Sequence, residues 1–292
     1  MQQLVNTALG GITLGMVFAA FALALVMIWR STRIVNFAQA AMAMVTTMLA
    51  LSLIERGWSY WAAFLAALAT GFVLGAVIER TLVRRVEGGP ELNAVILTLG
   101  LFIVLTAGAE IVFGSDYRSF PVPFSLSGTE IGGTTYALTG FDIFTVVAVL
   151  VTMGLLLALF QFTDIGLRMR AAAHQQEVAR LLGVKVGRML TLGWALAAVV
   201  GSLSGLLIGG GSLVHPHYME SVVVFGFVAA VLGGLDSPAG AVVGGLLLGV
   251  TLSFVSGYVG SGLVALAALV VLVVVLMVRP GGLFSATTAR RV

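Results

Sequence analysis

The 292 residues are 60 % hydrophobic and only 9 % charged, with a formal net charge of +3 and no cysteine. Mean hydropathy is +1.12, more apolar surface than one water-soluble domain of this length can hide, and the missing cysteine excludes disulfides and thiolate metal sites. A helix needs about 20 apolar residues to cross about 30 Å of hydrocarbon, so the chain has room for roughly eight crossings.

The apolar blocks, in chain order, cover residues 8–29, 34–54, 60–79, 93–113, 141–162, 189–210, 221–256 and 259–278. They are continuous, unlike the alternating ten-residue segments of a membrane barrel. The expected fold is therefore all-α: a polytopic transmembrane helical bundle of about eight spans, forming a single domain over 1–292. The first block is too long for a cleaved signal peptide and no basic residue precedes it, so Met1 is expected to be the mature start.

Thirteen of the fifteen Lys and Arg residues follow alternate blocks. Arg30 and Arg33 follow the first, and Arg80, Arg84 and Arg85 the third. Arg168, Arg170, Arg180, Lys185 and Arg188 follow the fifth, and Arg279, Arg290 and Arg291 the last. Arg56 and Arg118 fall on the other side. The positive-inside rule then predicts a cytoplasmic location for 30–33, 80–92, 163–188 and 279–292, an external N-terminus and a cytoplasmic C-terminus. Trp58, Tyr60 and Trp61 suit an external aromatic belt, and the polar stretch 114–140 reads as a surface loop.

Opposite termini require an odd number of crossings. Block seven is interrupted by Gly233-Gly-Leu-Asp-Ser-Pro-Ala-Gly240 and reads as two short helices meeting at a break. They form a re-entrant hairpin, or two full crossings joined by a simple cytoplasmic turn. Broken helices at membrane depth are tolerated where they pack in protein or line a cavity. Gly233 and Gly234 could there expose backbone groups and half-helix ends to a zwitterionic solute. The spacing of Gly201 and Gly205, and of Gly240, Gly244, Gly245 and Gly249, predicts close helix packing.

Within 163–188, residues 170–182 are good helix formers and Gly183 is the expected C-cap. Ala171, Val178, Leu181 and Leu182 can form one apolar stripe, suited to the bilayer surface or to a groove in a partner. Asn36 and Gln39 open the second block. Polar groups there face the bundle interior, either beside a translocation path or in interhelical hydrogen bonds. Glu110 is the acidic group placed well inside a span, with Arg118 as a possible partner, while Glu79 and Asp142 read as interfacial. His215 and His217 have no obvious third metal ligand, so a surface or partner-contacting loop is the simpler reading.

Six strings, in order, resemble the permease subunit of a branched-chain amino-acid (Liv-type) ABC importer: Gly11-Ile-Thr-Leu-Gly15, Ile34-Val-Asn-Phe-Ala-Gln39, Gly166-Leu-Arg-Met-Arg170, Ala179-Arg-Leu-Leu-Gly-Val184, the run Ala230–Gly245, and Arg279-Pro-Gly-Gly-Leu-Phe284. Family members usually carry Gly where Ala40 stands. The resemblance implies a non-enzymatic transport subunit in a bacterial inner membrane. Its implied partners are two cytoplasmic ATPases, a second related permease, an external solute-binding protein and membrane lipid, with no nucleic acid. It implies that 163–188 holds the coupling helix, with Arg170, Val178, Ala179, Arg180, Leu181, Leu182 and Gly183 contacting an ATPase. Asn36, Gln39, Gly233 and Gly234 become candidates for the path. No Gly-x-x-x-x-Gly-Lys-Ser/Thr string occurs, and Lys185 does not fit one. This chain is thus expected to need no cofactor or metal, ATP being bound by partner subunits. Urea or short amides are the alternative solutes. The alternative class is a secondary transporter or channel, although the chain offers few intramembrane ionisable groups for ion coupling.

Overall fold

The computed structural model describes residues 1–131 and 134–284. The helices, in order, are α1 (Gln2–Thr32), α2 (Gln39–Glu55), α3 (Tyr60–Ile78), α4 (Arg84–Val86), α5 (Glu91–Phe113), α6 (Gly140–Phe162), α7 (Asp164–His174), α8 (Gln176–Leu181), α9 (Val186–Gly209), α10 (Glu220–Gly233), α11 (Pro238–Phe254) and α12 (Val264–Val278). A π-helical turn, Glu79–Val83, joins α3 to α4, and a second, Val255–Val259, extends α11. Strands β1 (Arg118–Ser119), β2 (Gly128–Ile131), β3 (Thr134–Thr139) and β4 (Leu213–Val214) form two small antiparallel pairs, β1 with β4 and β2 with β3. The 114–140 segment expected to be a loop thus contains a hairpin. It packs on the start of α1, where Gln2 donates to the Thr135 carbonyl and Asn6 accepts from the Ala137 amide.

Helix α1 is the axis of the bundle. It is buried along most of its length and packs against α9, α10 and α11. Small residues permit this: a Cβ added at Gly249 of α11 would lie 2.2 Å from the Gly15 Cα of α1. Hydrocarbon gives helices no hydrophobic reason to associate, so such backbone approach, with its dispersion contacts, holds them together. By contrast α5, α6 and α12 are largely exposed. An apolar exposed face is stable only against lipid or another protein.

Seven helices among the described residues are long and apolar enough to cross a membrane, and α2 and α10 are shorter apolar helices. Block seven forms two antiparallel helices, α10 and α11, so the described residues hold nine apolar helices, seven of them of spanning length. Its break lies at one end of the bundle, where Asp236 pairs with Arg33, the residue after α1. The break is thus a turn between two helices packed on each other, α10 and α11. The Lys and Arg of 30–33, 80–85, 168–188 and 279 gather at this same end, called here the basic end. The first and last described residues lie at opposite ends. Arg290 and Arg291 lie outside the described residues.

Candidate functional site at the basic end

Two interruptions of helix and a pair of cavities make up the basic end. The first interruption is the α10–α11 turn. Gly234 sits at φ 101°, which an L side chain rarely adopts. Ser237 caps α11 by accepting from the Gly240 amide, and Pro238 occupies the first turn, where its missing N–H costs nothing. Gly233 and Gly240 meet backbone to backbone: a Cβ at Gly233 would be 2.0 Å from the Gly240 carbonyl oxygen. The Leu232 and Gly233 carbonyls, orphaned at the end of α10, accept from the amides of Leu283 and Phe284. The Arg279–Phe284 motif is thus a strap across the break. These backbone groups are occupied by protein, so the expected exposure of Gly233 to solute is not what the fold provides.

The second interruption lies in 163–188. The single helix expected over 170–182 is split at Gln175, whose extended backbone (φ −147°, ψ 98°) separates α7 from α8. Gly183 does terminate α8 in the left-handed region at φ 82°, as a C-cap glycine should. The split breaks the expected stripe. Ala179 turns inward and packs with Ala172, Val186 and Leu190 in a small core. Val178, Leu181 and Leu182 turn outward, and Leu181 and Leu182 are 87 % and 77 % exposed. Among the described residues Arg180 bonds to Gln176, one turn earlier, while Gln176 also reaches Glu87 beside α4. Arg170 lies on α7 and faces a cavity rather than the outward leucines.

An ion network fixes the second interruption to the bundle. Glu79, expected at an interface, is completely buried. Arg84 donates to both of its carboxylate oxygens at 2.9 Å, and the Thr191 hydroxyl donates to Oε2 at 2.6 Å. Arg84 also donates to the Gly187 carbonyl, joining the end of α3 to the start of α9. Glu79 and Arg84 are five apart, a spacing that does not align on an α-helix. The π turn between them, with its i→i+5 pattern, brings them to one side. No periodicity in the sequence announces that turn, which is why Glu110 looked like the buried acid.

Asn36 and Gln39 are both buried and fully engaged. The Asn36 carbonyl oxygen accepts from the Ala38 amide, and its amide donates to Gln39 Oε1 at 3.0 Å. Gln39 Nε2 donates to the Ala197 carbonyl of α9, also at 3.0 Å. Gly201 makes room: a Cβ there would lie 2.0 Å from Gln39 Nε2. The pair therefore pins the start of α2 to α9, and neither residue lines the larger cavity.

That cavity, about 640 Å³, lies between α1, α6, α7, α9 and α11. A second, about 440 Å³, is ringed by Arg80, Arg84, Arg180, Lys185 and Arg188. At the far end the charged side chains pair with one another. Arg118 pairs with Glu55 rather than Glu110. Glu110, in the last turn of α5, instead bonds His217 Nε2, whose Nδ1 faces Glu220. With a carboxylate at each nitrogen, both ring positions are best used as donors. Hydrogen bonds to Glu220 and Glu110 accordingly raise the His217 pKa, while burial and His217 lower that of His215. Among the described residues no cluster of three His, Asp or Glu could hold a metal.

A buried axial helix, seven helices of spanning length and one cation-rich end carrying an exposed apolar loop define a multi-pass helical membrane protein. The comparisons agree. Residues 7–279 match the family model described as "Branched-chain amino acid transport system / permease component", and the chain belongs to that family. It is 28 % identical to the high-affinity branched-chain amino acid transport system permease protein LivH of Escherichia coli K12, covering 100 % of this chain and 97 % of that one. Identity to the corresponding protein BraD of Pseudomonas aeruginosa is 30 %, over 100 % and 98 %. The solved structure of PsaBC from Streptococcus pneumoniae in complex with Fab aligns with 96 % of this chain and 93 % of its own, at TM-score 0.52 and 14 % identity, a likeness of fold alone. Permease components of this family are the transport parts, not the catalytic parts, of ABC importers.

Proposed function

We propose that this chain is the membrane-embedded permease of a bacterial inner-membrane importer for branched-chain amino acids, driven by ATP that two partner ATPases bind and hydrolyse on the cytoplasmic side. A second related permease completes the path, and an external binding protein delivers the solute. The N-terminus lies outside and the basic end in the cytoplasm, a reading the cation asymmetry supports.

The observation that carries the coupling assignment is the pair Leu181 and Leu182, exposed on α8 and its cap beyond the bundle at the basic end. Large apolar side chains held out in an aqueous, cation-rich region suit a protein groove. Val178, Arg180, Leu181 and Leu182 would touch the ATPase. Gly183 would end the helix, and Ala179 and Arg170 would act from inside, by holding α8 on α9 and by lining the cavity. ATPase closure would move α7 and α8 together through the small alanine core. For Asn36, Gln39, Gly233 and Gly234 the hydrogen bonding and packing support a scaffold role beside the path.

The test is co-purification of the tagged chain in mild detergent, followed by leucine uptake in liposomes. Recovery of ATPases and a second permease, with uptake that needs ATP, is expected. Uptake by the chain alone without ATP would overturn the reading in favour of a secondary transporter or channel.

A further inference from the structure

The cavity of about 640 Å³ has a polar end and an apolar body. Its floor is α1, through Leu23 and Met27. One wall is α6, through Met153, Leu157 and Phe160, and the other is α11, through Val242 and Val243. Both walls pack on α1. From Leu23 to Arg30 the floor extends about 10 Å along the helix axis. At the basic end, where α7 closes the groove, Arg30 and Arg170 face the same space beside Ser31 and Gln161.

These two guanidiniums differ from their neighbours. Arg33 has Asp236 and Arg84 has Glu79. Arg30 and Arg170 have no hydrogen bond or ion pair to protein among the described residues; Asp236, already paired with Arg33, attracts Arg30 from outside the groove, while Arg33 and Arg170 repel it. No Asp or Glu lines the cavity. Two cations beside an apolar groove at the water boundary want an anion. A zwitterionic amino acid fits poorly, because its ammonium group would meet two positive charges and no carboxylate in the groove lining. An anion with a long apolar tail satisfies both parts of the site.

We infer that this groove binds one anionic phospholipid of the surrounding bilayer, its phosphate between Arg30 and Arg170 and an acyl chain along α1 between α6 and α11. The lipid would then brace α7, the helix leading to α8, against the bundle. The site shares Arg170 with the coupling assignment but is read by lipid retention without transport, so failure of either leaves the other standing.

The experiment is native mass spectrometry of the purified full chain, delipidated and then titrated with phosphatidylglycerol or with phosphatidylethanolamine of the same acyl chains. One phosphatidylglycerol is expected to be retained at a concentration roughly tenfold lower than phosphatidylethanolamine. The R30Q/R170Q variant should lose that preference. Both arginines are exposed, so its thermal unfolding should match that of the parent. Val243→Trp, which fills the groove while leaving the cations, should lower retention of both lipids. Equal retention of the two lipids by the parent, or an undiminished preference in R30Q/R170Q, would overturn the proposal. So would photo-crosslinking from a single Cys at Leu157, in assembled complex, that captures a protein chain instead of lipid.

Discussion

The two helix interruptions at the basic end are built on opposite principles. The α10–α11 turn is locked by backbone: Gly233 against Gly240, Gly234 in a conformation that glycine tolerates, and a strap of two amide hydrogen bonds from Leu283 and Phe284. The α7–α8 break is held by a small alanine core below and one side-chain bond from Gln176 to Glu87, with Arg84 and Glu79 anchoring the neighbouring start of α9, and it turns its leucines outward. A locked turn transmits no motion of its own and keeps α10 and α11 in register on α1. A loosely seated pair of short helices can shift as a unit when something grips it. The first interruption is conspicuous in the sequence and the second, at Gln175, is not, yet only the second offers unused apolar surface to a partner.

The comparison is broken most severely by Gly233→Val. The branched side chain has no space against the Gly240 carbonyl, and because backbone cannot give way the cost lies at or above the upper end of the usual range of about 1 to 3 kcal/mol. The expected outcome is loss of assembled protein and a lower thermal unfolding midpoint, with uptake lost as a consequence. Retention of stability and uptake would show that the turn is not locked. Arg84→Ala comes next, because it strips the charged partner from buried Glu79. Such removals cost about 3 to 5 kcal/mol, and the half-exposed Arg84 and the surviving Thr191 bond place this one near the lower bound. Its midpoint should fall by less than that of Gly233→Val.

The two faces of α8 should respond differently. Leu182→Asp is expected to change stability by less than about 0.5 kcal/mol, as exposed substitutions do, while reducing ATP-driven uptake and ATPase recovery by roughly tenfold, the equivalent of about 1.4 kcal/mol of lost contact. Ala179→Asp forces a carboxylate into the alanine core and should lower the unfolding midpoint as well as uptake. Normal uptake in the Leu182 variant would remove the coupling assignment. Equal stability of the two variants would mean that α8 is not seated as described.

The smallest effect belongs to the far end, where His217 links α5 to α10. Its folded pKa is raised above the ordinary 6.5 by hydrogen bonds to Glu220 and Glu110. The link is therefore fully present below 6.5 and is lost as pH rises through the raised value. The stability difference between the parent and His217→Ala should be larger at about pH 6 than at about pH 9. It should stay small at either, since all three side chains are about half exposed. A difference that grew with pH would contradict the bonding.

Much of the fold was legible in the residues. Hydropathy located the apolar passes, cation placement identified the basic end, Gly233–Gly240 marked a break, and Gly183 marked a helix end. Each of these signals is local: a transfer free energy summed over about 20 residues, or a φ angle that only glycine takes easily. Six ordered strings also pointed to the family that the comparisons bear out.

What needed the tertiary structure was every question of which partner a group finds. Asn36 and Gln39 bond to each other and to Ala197, far along the chain. Glu79, not Glu110, is the buried acid, because a π turn delivers Arg84 and packing delivers Thr191. The split at Gln175 decides that Ala179 faces in while Leu181 and Leu182 face out. Block seven resolves into two antiparallel helices whose break Asp236 and the 283–284 strap hold at the basic end. Composition and periodicity determine that a segment is apolar, where it stops and which end carries charge. They cannot determine which face meets protein and which meets lipid, because in hydrocarbon both faces are apolar and only close packing and paired polar groups distinguish them.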